Sequence, residues 1–220
     1  FLTEPLASQH LNGGVKKVVL SAPAKDKQIK TVVLGVNDHI LTSKELVVSN
    51  ASCTTNNVAP IVKVIKSLVD IELCYILTIH SYTSDQRLHD APHKDMRRAR
   101  AAAHSIIPTT TGAAKAITKI FPDLEGKIQG GAIRVPVSNG SMSEITFNVA
   151  EAISIDAIHE AMTKSSKGEL KGVLGIISDP IVSIDIVGSS LSSAYDSELS
   201  KSYGKVIKIV AWYDNESGYS

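Results

Sequence analysis

Apolar positions change period along this chain, and each change marks an element. A strand-like run, Glu45-Leu46-Val47-Val48, stops abruptly, and Val58, Ile61, Val62, Ile65, Leu68 and Val69 then recur at the i, i+3, i+4, i+7 spacing of one buried helix face. The turn between them is Ser49-Asn50-Ala51-Ser52-Cys53-Thr54-Thr55-Asn56, and Pro60 is expected to kink the helix that follows. Upstream, a short helical segment from Pro5 to Leu11 meets the helix stop Gly13-Gly14. Valine-rich runs from Val15 to Ala22 and from Lys30 to Val36 join the run ending at Val48 as expected strands, similar to the last part of a buried α/β sheet. Downstream, strands are expected at Leu73 to Tyr82, Lys127 to Val137, Ser143 to Ala150, Val173 to Ile177, Ile181 to Val187 and Lys205 to Tyr213. Helices are expected at Ala113 to Ile120 and, capped by Ser154, from Ile155 to Lys164. Between Thr83 and Ile107 the chain is polar and basic without apolar period, which predicts an ordered functional loop with at most a helical turn at Arg97 to Ala103. Strands outnumber helices after Cys53, so that part reads as an α+β unit, a mixed and largely antiparallel sheet covered by helices.

Composition narrows the function classes. With 220 residues and 43% hydrophobic content the chain can hold one sizeable core, or one domain and part of another. Lys and Arg total 23 against 22 acidic residues, a net charge of +1, which gives no general pull toward nucleic acid or membrane. Any anion site must therefore be local. Two cysteines make no disulfide framework and suit a reducing compartment. No signal-peptide pattern or bilayer-length apolar run occurs. The sequons at Asn50, Asn139 and Asn215 are expected to be chance matches, because a glycan on Asn50 would cover Cys53, and a cytoplasmic location follows. No G-x-G-x-x-G dinucleotide fingerprint is present. The chain starts at Phe1 and stops just after a polar-aromatic cluster, Tyr213 to Tyr219, and is expected to be a piece of a longer protein.

Two constellations could carry chemistry. Cys53 falls at a helix amino end, where free N–H groups and the helix dipole favour an anion and are expected to lower the thiol pKa toward neutrality. His80, near the end of a later strand, could take its proton. The alternative for the two is a buried thiol and a packed core histidine. The second constellation is Ser52, Thr54, Thr83, Arg98, Thr111, Gly112 and Arg134, hydroxyls, helix-start N–H groups and guanidiniums of the kind phosphate oxygens need. Taken singly, each threonine is as well explained as a cap or turn residue. Cys74, among Leu73, Tyr75 and Ile76, is expected to be a core residue. His89 and His93 are separated by Pro92, which argues against a helical metal pair. Arg97-Arg98-Ala99-Arg100 lacks interleaved aromatics and reads as a solvated or intersubunit loop with one substrate-facing arginine rather than a nucleic-acid contact.

Several stretches together resemble phosphorylating glyceraldehyde-3-phosphate dehydrogenases. They are Ser49 to Asn56, His80-Ser81-Tyr82-Thr83, Arg97 to Ala103, Pro108 to Ala116 (Pro-Thr-Thr-Thr-Gly-Ala-Ala-Lys-Ala), Arg134-Val135-Pro136 and Trp212-Tyr213-Asp214-Asn215-Glu216. The resemblance implies a trailing part of a Rossmann-type NAD(P)-binding domain over 1–52, a catalytic domain over 53–214 and the start of a return segment over 215–220. It implies Cys53 as nucleophile and His80 as base, Thr83 and Arg134 for the substrate's phosphate, and Ser52, Thr54, Thr111 and Gly112 for inorganic phosphate, with Arg98 bordering both. Asn215 and Tyr219 would meet the nicotinamide of NAD, with NADP not excluded. The implied reaction takes glyceraldehyde 3-phosphate, NAD(P) and inorganic phosphate to 1,3-bisphosphoglycerate through a cysteine thioester, in a cytoplasmic homotetramer without nucleic-acid or membrane partners. Erythrose-4-phosphate dehydrogenase, sharing the cysteine and histidine, is the alternative within the class, and a non-catalytic binding or scaffold fragment the alternative outside it. Three positions depart from the family pattern: Asn57 replaces a usual second cysteine, Ser217 a usually apolar or aromatic residue, and Asn139-Gly140-Ser141 is a variant within the family's range.

Overall fold

The computed structural model describes residues 1–220. The first 52 residues carry a short helix α1 (Glu4–Ala7) and a small parallel sheet of β1 (Val18–Leu20), β2 (Lys30–Thr31) and β3 (Val47–Ser49) in the order β1-β3-β2. The helical segment expected to reach Leu11 continues past α1 only as a 3₁₀ turn over Ser8–Gly13. The strand expected to run to Val36 ends after Thr31. Asn37 accepts a hydrogen bond from the Val33 N–H (2.8 Å) and donates one to the Thr31 carbonyl (3.0 Å), folding the backbone over before Gly35 takes φ +73°.

The rest is an α+β arrangement. Its elements are α2 (Cys53–Leu68), β4 (Ile71–Ser81), β5 (Ile107–Thr109), α3 (Ala113–Ile120), β6 (Ile128–Val135), β7 (Ser141–Val149), α4 (Ile155–Lys167), β8 (Leu174–Ile177), β9 (Ser193–Tyr203) and β10 (Val206–Tyr213). One seven-stranded sheet has the order β5-β6-β4-β7-β10-β9-β8. Pairs β4/β6 and β8/β9 are parallel and the other four antiparallel, as the sequence predicts for a largely antiparallel mixed sheet. Helices α2, α3 and α4 cover one face, and the main core lies between them and the sheet. Ile61, Ile65, Ile76 and Phe147 are fully buried there, each contributing roughly 1.5–3 kcal/mol of burial. Val33, Val36 and Ala51 belong to the same core, so the first segment packs onto the larger unit.

Strand parity places the chemistry. Along β4 the buried positions Cys74, Ile76, Thr78 and His80 alternate toward the helices, while Leu73 and Tyr75 face outward. Pro60 lies inside α2 without ending it. Two segments differ from expectation. Residues 181–187 are not a strand: Asp185 accepts the Val182 N–H (2.8 Å), closing a 3₁₀ turn over Ser183–Ile186 that sets Ile186 against Trp212 and Ala194. Conversely β9, with the polar sequence Ser-Ala-Tyr-Asp-Ser-Glu-Leu-Ser-Lys-Ser-Tyr, is a full strand. Asp196 and Ser200 are paired within the sheet: the Trp212 indole donates to Asp196 (2.9 Å), the Ser200 hydroxyl to the Asp196 carbonyl (2.6 Å), and the Val210 N–H to Ser200 Oγ (3.0 Å), where β9 bulges between Asp196 and Lys201. No helix is long and apolar enough to cross a membrane.

Candidate active site

Cys53 is the first residue of α2, and its placement follows from the two residues before it. Ser52 is extended and caps the helix, accepting the Thr55 N–H at 3.2 Å. Ala51, fully buried, sits in the left-handed region at φ +58°, which turns the chain sharply out of β3 into α2. Asn56 ties the turn by donating to the carbonyls of Asn50 (2.8 Å) and Ser52 (3.0 Å). The amino end of α2 thereby comes over the last residues of β4, and Cys53 Sγ lies 3.3 Å from His80 Nε2.

His80 is held from its other side. Its Nδ1 is 2.7 Å from the Ser81 carbonyl and 2.7 Å from Arg134 Nη1. Arg134 stands on β6 at the register position opposite His80 and donates from the same Nη1 to the Ser81 carbonyl at 2.8 Å. Tyr213 packs edge-on against the imidazole, with centroids 5.9 Å apart, and links the hydroxyls of Thr54 (2.9 Å) and Thr78 (2.8 Å). Burial, and then the Arg134 charge, bring His80 down to about 4, with the Ser81 carbonyl opposing. The thiol differs from expectation: burial pushes Cys53 upward, against the Thr54 N–H, the Thr54 hydroxyl and Arg134, which pull it down. At neutral pH the pair therefore rests as thiol and neutral imidazole, and the helix terminus only partly offsets desolvation. Cys74, buried among apolar neighbours, is pushed to about 12 by burial alone.

The remaining anion candidates divide. Thr83 lies three residues beyond His80, its N–H donating to Gln86 Oε1 (2.9 Å) with its hydroxyl 3.4 Å from the same oxygen. Arg98 Nε donates to Thr109 Oγ1 (2.7 Å) and its Nη2 to the Thr110 carbonyl (3.2 Å), tying the basic loop to the segment before α3. It is ion-paired with Asp85 and, at 3.4 Å, with Asp95, yet its charge still acts on Arg134. The loop itself forms hydrogen-bonded turns and no helix at 97–103, doubling back so that Arg87 N–H reaches the Arg98 carbonyl (3.1 Å). Thr111 Oγ1 accepts the Ala113 N–H (3.2 Å) and Gly112 caps α3. No hydrogen bond joins Thr111 or Gly112 to the Cys53–His80 pair, and the Ser52 hydroxyl is engaged with Thr55.

At the opposite rim, Asn215 Oδ1 accepts from the hydroxyls of Ser81 (2.9 Å) and Ser141 (2.8 Å), which leaves its Nδ2 as a donor without a protein partner. Tyr219 donates to the Ala51 carbonyl (3.0 Å) and receives the Asn50 side-chain amide on its own carbonyl (3.2 Å). It borders a cleft of about 460 Å³ shared with Val19, Val32, Leu34 and Asn50. Asp214 shapes this rim: although burial opposes it, hydrogen bonds from Gly188, Glu216, Ser217 and Asn139 hold its carboxyl below the usual range.

Sequence reading named neither Tyr213, Gln86, Ser81 nor Ser141 as site residues. Tyr213 and Ser81 stand inside quoted motifs, which was the signal. Ser141 stands inside the Asn139-Gly140-Ser141 stretch, read only as a family variant, and Gln86 carries no signal. Asn57 donates to Ser193 Oγ (3.3 Å) and the Trp212 carbonyl (3.2 Å), holding α2 to the sheet rather than entering the site.

The family model described as glyceraldehyde 3-phosphate dehydrogenase, C-terminal domain, matches residues 52–215. Among curated proteins, the chain is 49% identical to a glyceraldehyde-3-phosphate dehydrogenase of Mycolicibacterium smegmatis over 220 residues, all of this chain and 64% of that protein. Identity to glyceraldehyde-3-phosphate dehydrogenase 1 of Bacillus cereus is 47% over 216 residues, covering 97% of this chain and 64% of the relative. For glyceraldehyde-3-phosphate dehydrogenase 2 of Streptomyces avermitilis it is 51%, with the same coverage on both sides. The chain thus spans just under two thirds of the length of these relatives.

Proposed function

The chain belongs to the glyceraldehyde-3-phosphate dehydrogenase family, and from that premise we propose that it carries the acyl-transfer half of a phosphorylating aldehyde dehydrogenase acting on glyceraldehyde 3-phosphate. The observation that carries this reading is the 3.3 Å contact of Cys53 Sγ with His80 Nε2, backed by Arg134 with no carboxylate in direct contact with the pair. His80 takes the thiol proton as Sγ bonds to the aldehyde carbon, so charge separation is made only when substrate is present. The Cys53 backbone N–H and the imidazolium stabilise the oxyanion of the hemithioacetal. Arg134 and the Thr83 hydroxyl hold the substrate's phosphate. Oxidation of the adduct gives a Cys53 thioester, which inorganic phosphate attacks to release an acyl phosphate and restore the thiol.

Ser52, Thr54, Thr111, Gly112 and Arg98 are our proposal for the inorganic phosphate. Thr54 and Ser52 already spend their hydroxyls on Tyr213 and Thr55, so they would serve through backbone N–H groups. The residues present fit the nicotinamide end of NAD or NADP: Asn215 offers a free amide donor, and Tyr219 lines the adjoining cleft. A bound oxidised nicotinamide would supply the hydride acceptor for the oxidation. We further propose the division 1–52, 53–214 and 215–220, a cytoplasmic location and a homotetrameric whole protein, with no nucleic-acid or membrane partner.

The test is protection. Glyceraldehyde 3-phosphate should shield Cys53 but not Cys74 from a neutral thiol alkylator, and unphosphorylated glyceraldehyde should need a far higher concentration. Absence of any protection sinks the reading. Stronger protection by erythrose 4-phosphate would favour the sister activity, and protection without nicotinamide reduction would mark this chain as a binding unit only.

A further inference from the structure

Three polar atoms behind His80 form a nearly equilateral triangle. Its sides are Nδ1 to the Ser81 carbonyl, 2.7 Å, Nδ1 to Arg134 Nη1, 2.7 Å, and Arg134 Nη1 to the Ser81 carbonyl, 2.8 Å. No placement of the imidazole proton satisfies all three sides. With a proton on Nδ1, that N–H and the arginine both donate to the carbonyl, but two donors face each other along the third side. With Nδ1 bare, Arg134 donates to both neighbours, but a nitrogen lone pair faces a carbonyl oxygen. Each tautomer of the neutral ring thus carries one repulsive contact, and neither satisfies the site.

The two tautomers differ at the catalytic edge. Nε2 faces Cys53 Sγ at 3.3 Å. A bare Nε2 can accept the thiol proton, whereas an Nε2–H can only donate and is no base. We infer that Arg134 is a positioning residue that sets the tautomer of His80, and that a phosphate drawing Arg134 off Nδ1 switches the ring to the Nδ1–H form in which it can deprotonate Cys53. Withdrawing Nη1 relieves only the Nδ1–H state, which keeps its bond to the Ser81 carbonyl. The bare-Nδ1 state loses the one favourable contact made by Nδ1 and keeps its repulsion. The other groups against the ring, Cys53 and Tyr213, sit on its far edge and its side and do not touch Nδ1. Arg134 is held there through Nη1 alone, since its Nε has no partner in the present arrangement. A phosphorylated aldehyde would then prepare its own base, and an unphosphorylated one would meet a ring held partly in the wrong tautomer.

The inference rests on the proposed assignment of Arg134 to the substrate's phosphate. Its test is nitrogen NMR of the full chain labelled at histidine, with a His80→Asn variant identifying the ring signals among seven histidines. In chloride at neutral pH, His80 should show both tautomers. Glycerol 3-phosphate, which cannot react with the thiol, should lower the Nε2–H share by about tenfold or more, the effect of one lost charge-assisted hydrogen bond. Glycerol at matched ionic strength should leave the share unchanged. Arg134→Leu, or Arg134→Gln should the first not fold, should show the Nδ1–H form with or without phosphate. A ratio that stays fixed while the Thr83 amide signal reports bound phosphate overturns the switch and leaves the phosphate assignment standing. Silence at both Thr83 and His80 overturns the two together.

Discussion

Cys53 and His80 form a pair whose ionic form is disfavoured at rest, and that shapes its pH behaviour. Because burial pushes the Cys53 thiol up, its alkylation by a neutral reagent should climb steadily with pH through the ordinary thiol range, with no plateau near neutrality. Cys53 should still react faster than Cys74, which is buried and pushed to about 12. Peptide mapping after brief alkylation checks this, and equal rates would count against activation by His80. His80→Asn should slow Cys53 alkylation by about a hundredfold, the usual scale of general-base assistance. The histidine also has a stability signature. Its folded-state value near 4 lies below the ordinary imidazole value of 6.5, so between these limits the unfolded chain binds the extra proton. That contribution is fully present above the unfolded value and is lost as pH falls from 6.5 toward 4. Urea midpoints should drop over this window more in the native chain than in His80→Asn.

The turn from β3 into α2 is the element on which the site depends. Ala51 holds φ +58° with no exposed surface, so Ala51→Val adds a branched side chain where backbone and packing both resist it. A loss of about 2–3 kcal/mol in urea unfolding is expected, since such backbone strain costs roughly 1–3 kcal/mol and overpacking adds to it. Ser52→Ala removes the cap and should cost about 1 kcal/mol. A second demanding turn joins β6 to β7: Gly140 has φ +87°, and a Cβ there would lie 2.2 Å from the Ser183 carbonyl oxygen. Gly140→Ala should therefore destabilise more than either change, by displacing the 183–186 turn from Trp212. Periodicity read α2, β4, β7 and β10 closely because each has a regular buried face. It passed over β9, whose burial rests on Asp196 and Ser200 pairing with Trp212 and Val210 rather than on apolar residues. It took 181–187 for a strand because a carboxylate closing a turn leaves no trace in hydropathy.

At the scale of the molecule, the first 52 residues do not stand apart. Val33, Val36 and Ala51 share the main core, and Lys63 and Lys119 donate to the carbonyls of Gly35 (2.9 Å) and Ala24 (3.1 Å). Unfolding should accordingly be one transition, with Trp212 fluorescence and far-ultraviolet circular dichroism superimposing. A separate early loss of ellipticity would show the first segment unfolding alone. The same continuity explains how Tyr219, near the end of the chain, comes to bind Ala51 in the turn before α2 and close the rim of the site.

The sequence by itself determined the α+β character, the strand-to-helix turn at Cys53 and the kinds of reactive side chain present, because these depend on local pattern and residue type. Only the tertiary structure decided how those groups behave. The sheet register sets Arg134 opposite His80, the packing of Tyr213 takes the Thr54 hydroxyl, and Asp85 and Asp95 occupy Arg98. Desolvation, which raises Cys53 and lowers His80, is a property of what surrounds a group in space, and no spacing along the chain encodes it.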